Sequence, residues 1–250
     1  MKVRGNDSIV SLLKYYFMKI KSFLQQSINR ILGYFGLHLK KSDSGMWDYD
    51  LVFSKIYKKI KDRTLVKIDR SYMLYQFAQM AASFLEGDVA QVGVYRGGTA
   101  RMISECFIQT NKTIFLFDTF EGLPDKSEFD TSDAGDDILK EFNDVNFSDV
   151  ENYFKDIKNI SFRKGFFPET TKGLEQRKFC FVYLDADLYQ STKDGLQFFY
   201  ERMIPGGVII LDDYKSGRWP GVERAVQEFC ISENIVPVQT TWWQGVIIKH

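Results

Sequence analysis

Two short, almost wholly apolar runs, Phe179–Leu184 and Val208–Leu211, each lead into a pair of aspartates: Asp185 and Asp187 in FVYLDADLY, Asp212 and Asp213 in GGVIILDDY. Runs of that length, rich in Val, Ile, Phe and Tyr, read as strands buried on both faces of a parallel sheet. Ligands of open α/β sheets bind just outside the carboxyl ends of such strands. Four carboxylates gathered there repel one another unless a cation or shared protons neutralise them. Oxygen-only ligands suit a hard ion such as Mg²⁺. The alternative is that each Asp caps the helix that follows, but one cap per helix explains one Asp and not two.

The rest of the chain fits an α/β reading. Strands are expected near 88–94, 113–118, 159–164, 179–185 and 207–212, with helices near 97–109, 148–156, 169–176, 191–203 and 220–233. This alternation implies a mostly parallel sheet covered by helices. Residues 235–240 and 244–249, joined across Trp242-Trp243, are too closely linked to be parallel and read as a C-terminal antiparallel hairpin. A further helical region spans roughly 47–85 and ends at Glu86-Gly87. Residues 119–147 form a long acidic insertion with Glu121, Asp125, Glu128 and Asp130, either a lid over substrate or a solvated loop.

The expected organisation is an extension over 1–45 and a large domain over 46–250. Residues 8–32 place Ile9, Leu13, Tyr16, Phe17, Ile20, Leu24, Ile28 and Ile31 at spacings of three and four, one face of an amphipathic helix. The formal net charge is zero, which gives no argument for nucleic-acid binding. Its distribution is uneven: residues 1–41 hold eight basic side chains against Asp7, a net +7, so the remainder carries −7. A cationic helix bearing Tyr15, Tyr16, Phe17 and Phe23 either lies on an anionic membrane surface or packs on its own domain or a second subunit. Cys106, Cys180 and Cys230 are too scattered for a zinc site or a disulfide framework, which fits a reducing cytosol. No signal peptide and no transmembrane helix are expected.

At the other end of the sheet, the first strand runs into Gly93-Val-Tyr-Arg-Gly97-Gly98-Thr99 and then directly into helix. Glycines let the backbone turn tightly and a ligand approach closely, and the helix amino terminus offers free N–H groups. The spacing is neither the dinucleotide fingerprint nor a P-loop; glycines kept for packing would look the same. The second strand ends in Asp118, an acid placed to accept hydrogen bonds from ribose hydroxyls. Together they suggest a nucleoside site without a phosphate cradle, suited to a cofactor with an uncharged or cationic tail.

These motifs, with Phe117-Asp-Thr-Phe-Glu-Gly-Leu-Pro124, Leu184-Asp-Ala-Asp-Leu-Tyr-Gln-Ser-Thr192 and Pro205-Gly-Gly…Leu-Asp-Asp-Tyr214, resemble the macrocin O-methyltransferase family over roughly residues 64–250. The resemblance implies a Rossmann-like class I methyltransferase fold of seven strands, S-adenosylmethionine as cofactor, Mg²⁺, a homo-oligomer, and methylation of sugar hydroxyls on natural products. By motif, Gly93, Tyr95, Gly97, Gly98 and Thr99 would surround the methionine part of the cofactor and Asp118 the ribose, with Asp185 close to both cofactor and metal. Asp185, Asp212 and Asp213 look like metal ligands and Asp187 like the general base. Related methyltransferases commonly begin the glycine motif with an acid, where this chain has Gln91.

A sugar hydroxyl is a poor nucleophile because it is nearly always protonated at neutral pH. Metal coordination lowers its pKa and fixes its position, and a carboxylate then takes the proton. His38 and His250, the only histidines, lie in the extension and at the last residue, which leaves carboxylate-plus-metal chemistry. Asp187 is base, or a cap or orienting group. Tyr189, Tyr214, Trp219, Trp242 and Trp243 either stack on an acceptor sugar or belong to core and rim. The competing functions are methylation of a phenolic or catechol hydroxyl and, from another class, a non-catalytic scaffold; a dehydrogenase would need the missing fingerprint. The expected setting is cytoplasmic, with or without peripheral contact at the inner face of the membrane.

Overall fold

The computed structural model describes residues 45–130, 142–240 and 243–250, together with residues 16, 19, 20, 23, 24, 27, 28 and 30–34. The chain divides into two compact units, 1–44 and 45–250. In the first unit the described positions up to 33 are helical, with a turn at Tyr34. Tyr16, Ile20, Leu24, Ile28 and Ile31 of the expected apolar face are exposed, as is Phe23. Ile9, Leu13 and Phe17 of that face, His38 and the segment 42–44 lie outside the described residues. Among the described residues no helix is long and apolar enough to cross a membrane.

The second unit is built on a seven-stranded sheet. Its strands are β1 (Asp88–Val92), β2 (Ile114–Asp118), β3 (Ile160–Lys164), β4 (Phe179–Leu184), β5 (Met203–Leu211), β6 (Val238–Gln239) and β7 (Gly245–Ile248). They lie in the order β3-β2-β1-β4-β5-β7-β6. The first five in that order pair in parallel. β7 runs antiparallel to both β5 and β6, as the C-terminal hairpin reading required. Among the described residues, six α-helices accompany the sheet: α1 (Leu51–Ile60), α2 (Ile68–Phe84), α3 (Gly98–Cys106), α4 (Phe147–Phe154), α5 (Tyr189–Tyr200) and α6 (Pro220–Ser232).

Side chains alternate between the faces of the sheet with the period of two that a strand imposes. In β4, Phe181 and Tyr183 join the core with Phe53, Leu74, Ala78, Met102 and Phe107 of α1, α2 and α3 and the turn after it. Val182 and Leu184 join Leu196, Phe199 and Val226 of α5 and α6 on the other face. All six residues of β4 are buried, the pattern expected of a central parallel strand.

The helical region 47–85 is present as α1 and α2, separated by a loop in which the Thr64 hydroxyl accepts from the Val66 N–H, a local bond that competes with helix. Two local expectations change. The helix expected near 169–176 is a 3₁₀ turn, Glu169–Thr171. There Thr171 bonds back to the Pro168 carbonyl through both N–H and hydroxyl, and Gly173 at φ +84° turns the chain away. Strand β5 begins earlier than expected, at Met203.

Candidate active site

The register of the central strands sets the site. Leu184 of β4 lies opposite Leu211 of β5, so Asp185 and Asp212 emerge side by side at the carboxyl end. Backbone bonds continue past the strand ends: Asp185 N–H donates to the Val92 carbonyl at 2.9 Å and Asp212 N–H to the Leu184 carbonyl at 2.9 Å. Gly93 continues from β1 at φ +83°, and a Cβ there would lie 1.9 Å from the Asp185 carbonyl oxygen. Only glycine permits that approach.

Four acids meet at this edge. One carboxylate oxygen from each of Asp185, Asp187 and Asp213 lies within 4.8 Å of the others. Asp187 and Asp213 both hold left-handed backbones, φ 60° and 56°, a strained state that Asp tolerates better than most residues. Asp212, the remaining acid of the set read from the sequence, is engaged elsewhere. Its Oδ2 accepts from Arg70 Nη1 at 2.7 Å and its Oδ1 from Gln244 Nε2 at 2.8 Å. Arg70 Nη1 also donates to Asp213 Oδ1 at 3.2 Å.

Burial, then the charges of Asp212, Asp187 and Asp213, push the Asp185 carboxyl well above the ordinary range. Burial also raises Asp212 and Asp213, with Arg70 pulling both the other way. Arg70 is itself buried, which works against its charge, but Asp212, Tyr183, Asp213 and Asp185 outweigh that and hold it protonated. A partly buried cluster of carboxylates whose charge Arg70 offsets only in part is a fitting cage for a hard divalent cation.

Toward β2, Asp118 does more than face a ligand. Its Oδ2 accepts from the Val94 and Tyr95 N–H groups at 2.6 and 2.8 Å, and its Oδ1 accepts from the Phe120 N–H at 2.6 Å. Tyr95 at φ 52° aims those two successive N–H groups at one oxygen. With about four lone-pair sites on a carboxylate, capacity for a ribose hydroxyl remains on Oδ1. Gln91 is fully buried, and its Nε2 donates to the Gly93 carbonyl at 2.7 Å and to Thr99 Oγ1 at 2.8 Å. An acid at that position would face the Gly93 carbonyl with an acceptor, so the amide suits this turn. Gly97 and Gly98 are packing glycines. A Cβ on Gly97 would meet the Phe154 ring at 2.8 Å, and one on Gly98 the Arg63 carbonyl at 2.6 Å.

A cleft of about 860 Å³ joins the two ends of the site. Gly93, Tyr95, Thr99, Asp118, Asp185, Asp187, Asp212 and Asp213 line it; Gly97 and Gly98 do not. Of the aromatics, Trp243 lines the cleft from an exposed position and Trp219 from within the core, where Tyr189 and Tyr214 also lie. Trp242 lies outside the described residues.

Both described ends of the acidic insertion are tied down. Asp130 is buried; its Oδ1 accepts from the Tyr189 N–H at 2.7 Å and caps α5, while its Oδ2 accepts from the Ser127 N–H. Gly221 makes room, since a Cβ there would lie 2.0 Å from Asp130 Oδ1. At the other end Asp144 pairs with Arg96 and accepts from the Tyr95 hydroxyl at 3.0 Å, and Phe142 packs edge-on to Tyr95. Arg70 and Gln244 had no place in the reading of the site, and Asp130 entered it only as one of the acids of the insertion. Arg70 did carry a signal: it shares the buried face of α2 with Leu74, Ala78 and Ala81, where a cation is out of place.

The family model described as macrocin-O-methyltransferase (TylF) matches residues 62–250, more than half of the chain. The chain belongs to that family. Among curated relatives, a tetracenomycin-C rhamnosyl 4'-O-methyltransferase of Streptomyces olivaceus is 28% identical over 162 residues, which cover 60% of this chain and 62% of the relative. The mycinamicin III 3''-O-methyltransferase of Micromonospora griseorubida is 28% identical over 176 residues, covering 63% and 68%. The match to the first of these thus spans less than two thirds of that relative's length. The solved structure of the O-methyltransferase NovP superposes with a TM-score of 0.64 at 24% identity, over 75% of this chain and 82% of that one. This fold likeness agrees with the class I methyltransferase sheet described above.

Proposed function

We propose that this member of the family is an S-adenosylmethionine- and Mg²⁺-dependent O-methyltransferase acting on a sugar hydroxyl of a glycoside, glycan or natural product. The observation that carries the reading is the single cleft joining the Gly93–Thr99 turn and Asp118 to the four aspartates. The names of the relatives, which methylate rhamnosyl and mycinamicin sugars, supply the acceptor class.

In this reading Gly93, Tyr95, Thr99 and Asp118 bind and orient the cofactor, which when bound supplies an electrophilic methyl carbon. Asp185 and Asp213, with Asp212, would hold a divalent cation, whose chemistry there would be to acidify and position the acceptor hydroxyl. Asp187 would accept on its carboxylate the proton that the acceptor hydroxyl gives up. Trp243, exposed at the cleft, offers a face on which a sugar ring can stack. The insertion ends anchored at Asp130 and Asp144 keep water from the reacting groups.

Two further parts of the reading concern the surroundings of the site. The +7 charge of residues 1–41 and the exposed Tyr16, Ile20, Phe23, Leu24, Ile28 and Ile31 support a peripheral contact with an anionic membrane surface. A homo-oligomer is carried over from the family alone. The deciding experiment is transfer of labelled methyl from S-adenosylmethionine to glycoside and phenolic acceptors, with Mg²⁺ and with chelator. Transfer to a glycoside that stops on chelation supports the reading; transfer to phenols alone, or transfer indifferent to chelator, sinks it.

A further inference from the structure

Arg70 is an unusual occupant of its position. It stands in the first turn of α2, where the helix dipole and free N–H groups favour anions over cations. It is buried, so its charge has lost water. Both penalties are offset at one place: Nη1 bridges Asp212 Oδ2 at 2.7 Å and Asp213 Oδ1 at 3.2 Å. Those are two of the acids that the metal reading requires. Arg218 acts on Asp213 as well, from the loop after β5. The guanidinium thus neutralises two carboxylates that a divalent cation would also need.

We propose that Arg70 is an exchangeable counter-ion of the acidic site, which competes with the divalent cation and so sets its affinity. This inference rests on the metal reading above. A divalent ion held by Asp185 and Asp213 would stand within a few ångströms of the guanidinium, which already touches Asp213, and at that separation the repulsion is large in a partly desolvated site. Once the cation holds Asp213 and recruits Asp212, Arg70 loses the contacts that offset its burial. Its exit is the cleft, which it already lines. Asp212 Oδ2 is then free to join the ligand set, while Gln244 still orients Oδ1. Before the ion arrives, Arg70 offsets the charge of Asp212 and Asp213 in a cluster of four acids and holds the end of β5 in place.

The test is direct binding of Mn²⁺ to the full chain, read from the loss of the free-ion electron paramagnetic resonance signal, with no cofactor or acceptor present. Arg70→Gln removes the competing charge and is expected to tighten Mn²⁺ about tenfold or more, whereas Arg70→Lys keeps the charge and stays near wild type. The metal-induced rise in melting temperature is expected to be larger for Arg70→Gln than for wild type, because in that variant the ion alone neutralises the acids. If Arg70→Gln folds only when Mg²⁺ is present, that dependence supports the exchange as well. Unchanged or weaker binding by Arg70→Gln overturns the proposal, as does a tightening equally large in Arg70→Lys. Asp185→Asn separates the two readings. If wild type binds Mn²⁺ and Asp185→Asn does not, the metal reading stands whatever Arg70 does; if wild type and Arg70→Gln both fail to bind, the two readings fall together.

Discussion

Asp118 links cofactor binding to backbone order, because one side chain accepts three backbone N–H groups from the turn that follows β1 and from its own loop. Asp118→Ala leaves those donors without an acceptor, at about 3 kcal/mol in all for partly buried groups. The melting temperature is expected to fall by roughly 6–10 °C and S-adenosylmethionine affinity by calorimetry to weaken about tenfold or more; unchanged binding would remove Asp118 from the cofactor site. The acids at the other end make a pH prediction. Burial raises Asp185, Asp212 and Asp213, so the folded chain keeps protons that unfolded Asp releases near pH ~3.9. Their contribution to stability is therefore full below that value and is lost as pH rises through the raised ones. Metal-free protein is expected to melt higher at about pH 5 than at about pH 8, and saturating Mg²⁺ to narrow the gap. A gap that Mg²⁺ leaves untouched would show that the ion does not replace those protons. The aspartates were legible in the sequence because a strand end and its acid are neighbours in the chain. Arg70 was not read as part of the site, since its partner Asp212 is 142 positions away and only the sheet brings them together.

Among the elements, strands were easier to read than helices. β4 and the second half of β5 are continuous apolar runs, and their parallel pairing agrees with the strand–helix alternation, whereas the order of the strands was not readable from the sequence. The expected helix near 169–176 failed because its apolar content is low and local threonine bonds with Gly173 close a tighter turn. Whether the acidic insertion is a loop or a lid could not be read either, because its anchor is an acid that caps a distant helix. Asp130→Ala removes the acceptor for Tyr189 N–H and Ser127 N–H, and a lost cap costs about 1–2 kcal/mol. Hydrogen exchange is expected to quicken in residues 127–130 and in the first turn of α5. The acceptor KM is expected to rise while cofactor affinity holds. Exchange unchanged in α5 would mean that the cap contributes nothing there.

For the molecule as a whole, charge is segregated: +7 over residues 1–41 and −7 over the rest, in a chain that divides at Ser44. Full-length protein is expected to co-sediment with anionic vesicles at low salt and to be released as salt rises, whereas protein beginning near residue 42 stays in solution. Equal sedimentation of both forms, or equal binding to neutral vesicles, would remove the membrane contact. The pairing of Leu184 with Leu211 has a further consequence, for mutation at the level of the gene. Deleting a single codon within β4 conserves all four aspartates, yet it shifts the strand by one step and sends alternate side chains to the opposite face. An alignment of such a variant would show an intact site, but its acids would no longer stand abreast. Homologues in this family should therefore tolerate length changes in the insertion far better than in the six residues before Asp185.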